Sequence, residues 1–155
     1  MLDPICKTVR VPGSPDRAFE IFTRKIADWW PVEEFSVSAG QSGVPITVVF
    51  EVSTGGRVYE VMPDGTESTW AEVLECQTGE GFVLNWHPGR DASEGTRVSV
   101  AFAASDAGTT EVTLVHDGWQ TLGDQAEKVH GNYDGGWALV LGVHFVGVFE
   151  EQAAE

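Results

Sequence analysis

The sequence predicts an α+β fold in which an antiparallel sheet, in the element order β-α-α-β-β-β-β-β-β-α, is covered on one face by a long C-terminal helix. Three observations predict it. Between Ile46 and His116 apolar side chains recur at every second position, from about Asp124 to Glu150 they recur at helical spacing, and Gly- and Pro-containing clusters separate the period-two runs. Period two sends alternate residues to opposite faces of a sheet, so one face is apolar and needs a cover. The only later segment long enough to supply it is the last one.

Cys6 to Val11 reads as the first strand, ended by Pro12-Gly13-Ser14-Pro15. Ser14 is placed to cap a helix with Pro15 at its first position, and Ala18, Phe19 and Phe22 give that helix an apolar side. Ile26, Trp29 and Trp30 mark a second short helix over Lys25 to Trp30, stopped by Pro31. Six strands follow, separated by Thr54-Gly55-Gly56, Asp64-Gly65, Thr78-Gly79-Glu80-Gly81, Pro88-Gly89 and Asp106-Ala107-Gly108. Alternation is clearest in Phe82-x-Leu84-x-Trp86, Val98-x-Val100-x-Phe102 and Val112-x-Leu114-x-His116.

In the last helix, Asp124 followed by Glu127 has the spacing of a capping box. At about 100° per residue, Ala126, His130, Tyr133, Trp137, Leu141, His144 and Val148 form one stripe, taken as the sheet-facing side. Gly131, Gly135, Gly136, Gly142 and Gly147 each cost about 0.8 to 1 kcal/mol in a helix interior, so close approach of a sheet, a helix or a ligand is expected at them. Gly135, Leu139, Gly142 and Val146 leave an uncharged outer face. It would meet a partner or a second copy of the chain, or else lie under the N-terminal helices.

Several segments together resemble one branch of the START-like, or SRPBCC, helix-grip superfamily. They are Trp29-Trp30, Gly55-Gly56-Arg57-Val58-Tyr59-Glu60, Asp64-Gly65, Trp70 to Glu75, Phe82 to Trp86, His116-x-Gly118-Trp119 and Gly136-Trp137. The branch is that of homologues of the activator of the heat-shock protein 90 ATPase, and the resemblance spans nearly the whole chain. It implies a curved sheet gripping the last helix on its concave face, with a deep pocket between them that takes apolar or aromatic small molecules. Chaperone-activating members carry a separate N-terminal domain with an Asn/Trp-rich motif, which the stretch before Cys6 does not supply, so chaperone activation is not expected.

At 155 residues and 16.8 kDa, with 42% hydrophobic and 21% charged residues, residues 1–155 read as a single domain with a packed core. The net charge of −15 disfavours nucleic acid, anionic lipid and anionic ligands. No Lys or Arg follows Lys128, so an anionic headgroup would fall to Arg57, Arg90 or Arg97, and a neutral ligand is the better fit. Cys6 and Cys76 are too far apart in sequence for a metal-ligand pair and are read as small core residues. The N-terminus lacks a signal-peptide pattern and Trp137 to Phe149 is too short and too interrupted to span a membrane, which makes the cytoplasm the expected location.

No Gly-x-Ser-x-Gly elbow is present, and no nucleophile is assigned. His130 and His144 would lie about 21 Å apart along a helix, so no metal and no cofactor is expected. His87 is expected to face solvent, opposite Trp86. His116 is the inward histidine, either a satisfied core residue or a polar ligand contact beside Trp119, Tyr133 and Trp137. Glu60 shares the parity of Val58 and either points inward to a partner or faces water at a strand end. Six tryptophans suit a pocket with large apolar walls, each indole adding one N–H. The expected ligand site comprises Trp70, Trp86, His116, Trp119, Tyr133, Trp137 and Glu60, with Phe35 as a gate on a mobile loop between Pro31 and Val44. Binding of a small apolar or aromatic molecule is the first functional expectation. A non-covalent cyclase or hydrolase using His116 or Glu60 for proton transfer, and a protein-binding or homodimerising module, are the alternatives.

Overall fold

The computed structural model describes residues 2–41, 43–106 and 108–149. Ser42 of the expected gate loop, Ala107 of the last hairpin turn and Glu150 at the expected helix end lie outside them. The strands are β1 (Ile5–Pro12), β2 (Thr47–Phe50), β3 (Arg57–Val61), β4 (Glu67–Gln77), β5 (Gly81–Trp86), β6 (Thr96–Ala104) and β7 (Thr109–Asp117). They pair antiparallel in the order β1-β7-β6-β5-β4-β3-β2, a meander closed by the first strand returning to the last. Register shifts between Val58 and Tyr59 and between Val73 and Glu75 mark bulges, which bend strands, and the sheet curves.

The two helices between β1 and β2 are α1 (Pro15–Thr23) and α2 (Ile26–Trp29). The Ser14 side chain accepts the Arg17 N–H at 3.2 Å and Pro15 opens α1, as the sequence predicts. The inner sheet face is mostly apolar, with Phe82, Leu84, Val98, Val100, Phe102, Val112 and Leu114 all buried, and Glu60, Thr96, Thr110 and His116 are buried polar residues on it. Cys6, expected in the core, is exposed, because β1 turns Ile5 and Val11 inward and Cys6 falls on the other parity.

The last helix departs from expectation in three ways. First, α3 (Ala126–Leu139) has no capping box: Gln125 precedes it without a side-chain cap, and Asp124 belongs to a 3₁₀ segment, Trp119–Gln125. That segment is broken at Gly123, whose φ of 55° favours glycine and resets the chain direction. Second, Val140–Phe145 is π-helical before ordinary helix resumes up to Phe149. A π turn holds an extra residue, which rotates the buried stripe by one position. Ala126, Trp137 and Leu141 are buried as expected, but Phe145 and Phe149 then take the inward places assigned to His144 and Val148, which are half-buried. Third, four of the five helical glycines are not explained by close approach. A Cβ at Gly131, Gly135, Gly142 or Gly147 would meet nothing within 4 Å, and only Gly136 lies against another group, the Phe35 ring. The outer face is not buried under the N-terminal helices either, since Leu139 and Val143 are 45% and 56% exposed.

Candidate functional site

Where α3 crosses the sheet, a cavity of about 540 Å³ opens between β4, β5, the helix and the segment after α2. Its walls are aromatic: Trp30 follows α2, Trp70 comes from β4, Trp86 from β5, and Tyr133 and Trp137 from α3, with Phe35 packed against Gly136. Trp70 and Trp86 belong to the buried parity of their strands, while Tyr133 and Trp137 are four residues apart and so share one helix face. The rim is polar, with Glu34, Gln41 and Asn132 exposed and Arg90 half-buried.

Ring geometry shows how the walls hold together. Trp30 meets Trp70, Trp86 and Trp137 at centroid distances of 5.3, 6.1 and 5.9 Å, and Trp86 meets Trp137 at 5.5 Å, within the range of favourable aromatic pairs. Every wall indole N–H has an acceptor within the protein. Trp30 donates to the Phe35 carbonyl (2.7 Å), Trp70 to Glu60 (2.7 Å), Trp86 to the Tyr133 hydroxyl (3.0 Å) and Trp137 to His116 Nδ1 (3.0 Å). The expectation that indole N–H groups orient a ligand is thereby corrected: their donors are used by the wall itself, because a buried N–H without an acceptor is costly. The cavity therefore meets ring carbon from these residues.

His116 is fully buried at the end of β7, behind Trp137 and against Trp119, with ring centroids 4.2 Å apart. An indole can only donate, so Nδ1 of His116 is an acceptor and the proton sits on Nε2, 2.6 Å from the Thr96 hydroxyl. Thr96 Oγ1 in turn donates to the Trp86 carbonyl at 3.3 Å. The imidazole is neutral and every position on it is used. Burial, with the charge of His130 adding to it, lowers its pKa from 6.5 to about 3.

Glu60 points inward, as its parity with Val58 requires, and is likewise inaccessible. Its carboxylate accepts Val37 N–H at 2.6 Å, Ser38 N–H at 3.0 Å, the Ser38 hydroxyl at 2.5 Å and the Trp70 indole at 2.7 Å. Among the described residues neither a cation nor His116 is its partner. Four donors satisfy the carboxylate and fasten the segment carrying Phe35 to the sheet. That segment, expected to be mobile, is a run of hydrogen-bonded turns: Ser36 Oγ donates to Val32 O, and Gly40, Gln41 and Gly43 bond back to Val37 and Ser38.

Of the eight residues nominated from sequence, Phe35, Trp70, Trp86, Tyr133 and Trp137 border the cavity, whereas His116, Trp119 and Glu60 stand behind its walls and hold wall residues in place. Sequence reading missed Asn132 and Val129 on α3, Val140 just after it, and Glu34 and Gln41 on the rim. For the first three a signal existed, since they lie one helical turn from Tyr133, Trp137 or Gly136. Of the three arginines considered, Arg90 alone reaches this cavity, and Arg57 is bound to Glu67 at 2.9 Å. His87, expected to face solvent, is buried: Nε2 lies 2.8 Å from Glu72 and Nδ1 3.0 Å from the Arg90 carbonyl, which anchors the turn presenting Arg90. Among the described residues no three His, Cys, Asp or Glu side chains converge as a metal site, and no helix is long and apolar enough to cross a membrane.

The sequence profile of the family described as "Activator of Hsp90 ATPase homolog 1-like protein" matches residues 12–149. The chain belongs to this family. Among solved structures this family member is similar to an anthrahydroquino-gamma-pyrone synthase, Txn09, complexed with SUM, at 30% identity over 86% of this chain and 88% of the other, with a TM-score of 0.58. It is similar in fold to the self-sacrificing resistance protein CalC from Micromonospora echinospora, at 23% identity over 96% and 95% of the two chains and a TM-score of 0.72. It also matches the fold of the Aha1 dimer from Colwellia psychrerythraea, at 13% identity over 90% and 91% and a TM-score of 0.59. No curated protein matches the sequence. The curved antiparallel sheet gripping a long C-terminal helix is thus the family's fold as well as this chain's.

Proposed function

We propose that the cavity binds a small, flat, largely apolar aromatic molecule. The observation that carries this reading is the set of four indoles lining about 540 Å³, each with its N–H bonded to a protein acceptor, which leaves ring surfaces as the main contact these residues offer a ligand. The volume falls within the range of small-molecule sites, and the net charge of −15 favours an uncharged guest. Titration with xanthone, a planar tricyclic ketone, should quench tryptophan fluorescence saturably and raise the melting temperature through preferential binding to the folded chain. Gly136→Leu, which puts a branched side chain beside Phe35, should weaken that binding at least tenfold and keep the fold. Quenching that stays linear with concentration, or is unchanged in Gly136→Leu, would reject the reading.

The similar synthase favours a second reading, in which the bound compound is cyclised without a covalent intermediate. His116 and Glu60 are buried behind the wall with their hydrogen bonds filled, so proton transfer would use wall and rim groups: Tyr133, Glu34 and Arg90. Self-association through the outer helix face is a separate reading, supported by the exposure of Leu139 and Val143. Sedimentation of the chain at micromolar to millimolar concentration tests it, and a single monomeric species throughout would exclude it. The two free thiols, one of them exposed, suit a reducing compartment and with it a cytoplasmic location.

A further inference from the structure

The Tyr133 hydroxyl differs from every other polar group in the cavity's aromatic wall. It accepts the Trp86 N–H at 3.0 Å, and among the described residues no acceptor takes its own proton. The other donors of the aromatic wall and Ser36 beside it are committed: Trp30 to a carbonyl, Trp70 to Glu60, Trp137 to His116, and Ser36 to the Val32 carbonyl. One O–H is therefore left over inside an otherwise carbon-faced wall.

An unused donor on an apolar surface is a specificity element, because a ligand lacking the matching acceptor leaves it unpaired, whereas one that carries it gains a bond in a low-dielectric setting. Accepting from Trp86 polarises the hydroxyl and strengthens its donation onward. Burial raises the Tyr133 pKa, so the group stays protonated and remains a donor at neutral pH. Arg90, on the rim close enough to act on Tyr133 electrostatically, adds positive potential at that end of the cavity.

Resting on the binding function proposed above, we infer that the ligand class is a planar aromatic ketone or quinone-like compound, whose ring oxygen accepts the Tyr133 O–H while its rings lie against the indole faces. Tyr133 is a recognition residue in this scheme, held in place by Trp86.

The test compares two probes of one skeleton, xanthone and xanthene, which differ by the carbonyl, against the wild type and Tyr133→Phe. Binding is read by tryptophan quenching, and circular dichroism checks that the variant is folded. Wild type should prefer xanthone at least tenfold. In Tyr133→Phe that preference should fall to within about twofold through weaker xanthone binding, with xanthene affinity unchanged. Equal binding of the two probes to wild type, or an undiminished preference in Tyr133→Phe, overturns the role of Tyr133 and leaves the aromatic pocket standing. Failure of both probes to bind wild type overturns the pocket reading and this inference with it.

Discussion

The inner face of the sheet is aromatic at both ends, yet one end is solid and the other hollow. Under α1 and α2, Phe22 meets Phe82, Phe102, Phe145 and Trp29 at centroid distances of 5.4, 5.9, 5.2 and 5.1 Å, and Phe145 packs on Phe149 at 5.3 Å. Under α3, indoles line about 540 Å³ of space. Ring type differs: the solid end is mostly phenylalanine, with Trp29 donating to the Ile21 carbonyl at 2.9 Å, and the hollow end is mostly tryptophan. Phenylalanine has no polar atom and can slide into the tightest packing. Each wall indole is instead tethered by its N–H to a fixed acceptor, so the rings are held upright as a wall and cannot fall inward to fill the gap. A cavity lined by tethered rings is preorganised, and a ligand does not have to reorder them on binding.

The contrast is broken most severely at the solid end. Phe145 is fully buried and delivered there by the π turn, so Phe145→Ala should cost about 3 to 5 kcal/mol in urea unfolding. Trp86→Ala should cost at least about 1 kcal/mol less than that despite removing a larger ring, because one face of the indole already borders empty space. Equal losses at the two positions would mean that the hollow end is as tightly packed as the other.

Glu60 is the tether of the segment carrying Phe35. Glu60→Gln puts an amide NH₂ among four donors and should cost about 2 to 3 kcal/mol. The loss should be local: hydrogen exchange at the Val37 and Ser38 amides should accelerate while strand amides under α1 keep their relative protection. Uniform acceleration across the chain would show that Glu60 supports the whole fold rather than this segment.

His116 sharpens the contrast through pH. Folded, it titrates near 3, and unfolded near 6.5, so between those values the unfolded chain binds the extra proton. Stability contributed by its neutral form is present above pH 6.5 and is lost as pH falls, by about 1.4 kcal/mol per pH unit, until the folded pKa near 3 is reached. Carboxylates titrate in both proteins, so the wild-type minus His116→Gln difference isolates the effect. That difference should shrink steadily from pH 6.5 to 4.5, and a flat difference would show that the imidazole is charged in the folded protein.

These expectations divide along what a sequence can carry. Strand parity is a local property, so the inward direction of Glu60, Trp86 and His116 was readable from Val58, Leu84 and Leu114. The Ser14 cap was readable for the same reason. Partners were not: Glu60 is satisfied by Val37 and Ser38, far from it along the chain and brought there by a segment with no period at all. Nor was the change of stripe from His144 to Phe145 readable, since no residue pattern marks the π turn that brings Phe145 and Phe149 against residues of α1 and α2. The cavity-facing list was partly right because it followed bulk. It failed where a residue's polar atom, not its ring, decides its place.

The smallest expected effect concerns the outer side of α3 and has the opposite sign. Gly131 and Gly135 are helix-interior residues at which an added Cβ meets nothing within 4 Å. On a solvent-facing surface, Gly131→Ala and Gly135→Ala should each stabilise the chain by roughly 0.5 to 1 kcal/mol, through helix propensity and a less mobile unfolded state. Gly135 lies four residues from both Gly131 and Leu139, so all three share one helix face. If a second copy packs closely on that stripe, the added methyl groups would collide with it, and both variants would lower stability at high protein concentration. Thermal unfolding of both variants at two concentrations a hundredfold apart separates the cases. Parallel, concentration-independent gains assign these glycines no interface, and leave their retention to a role outside packing.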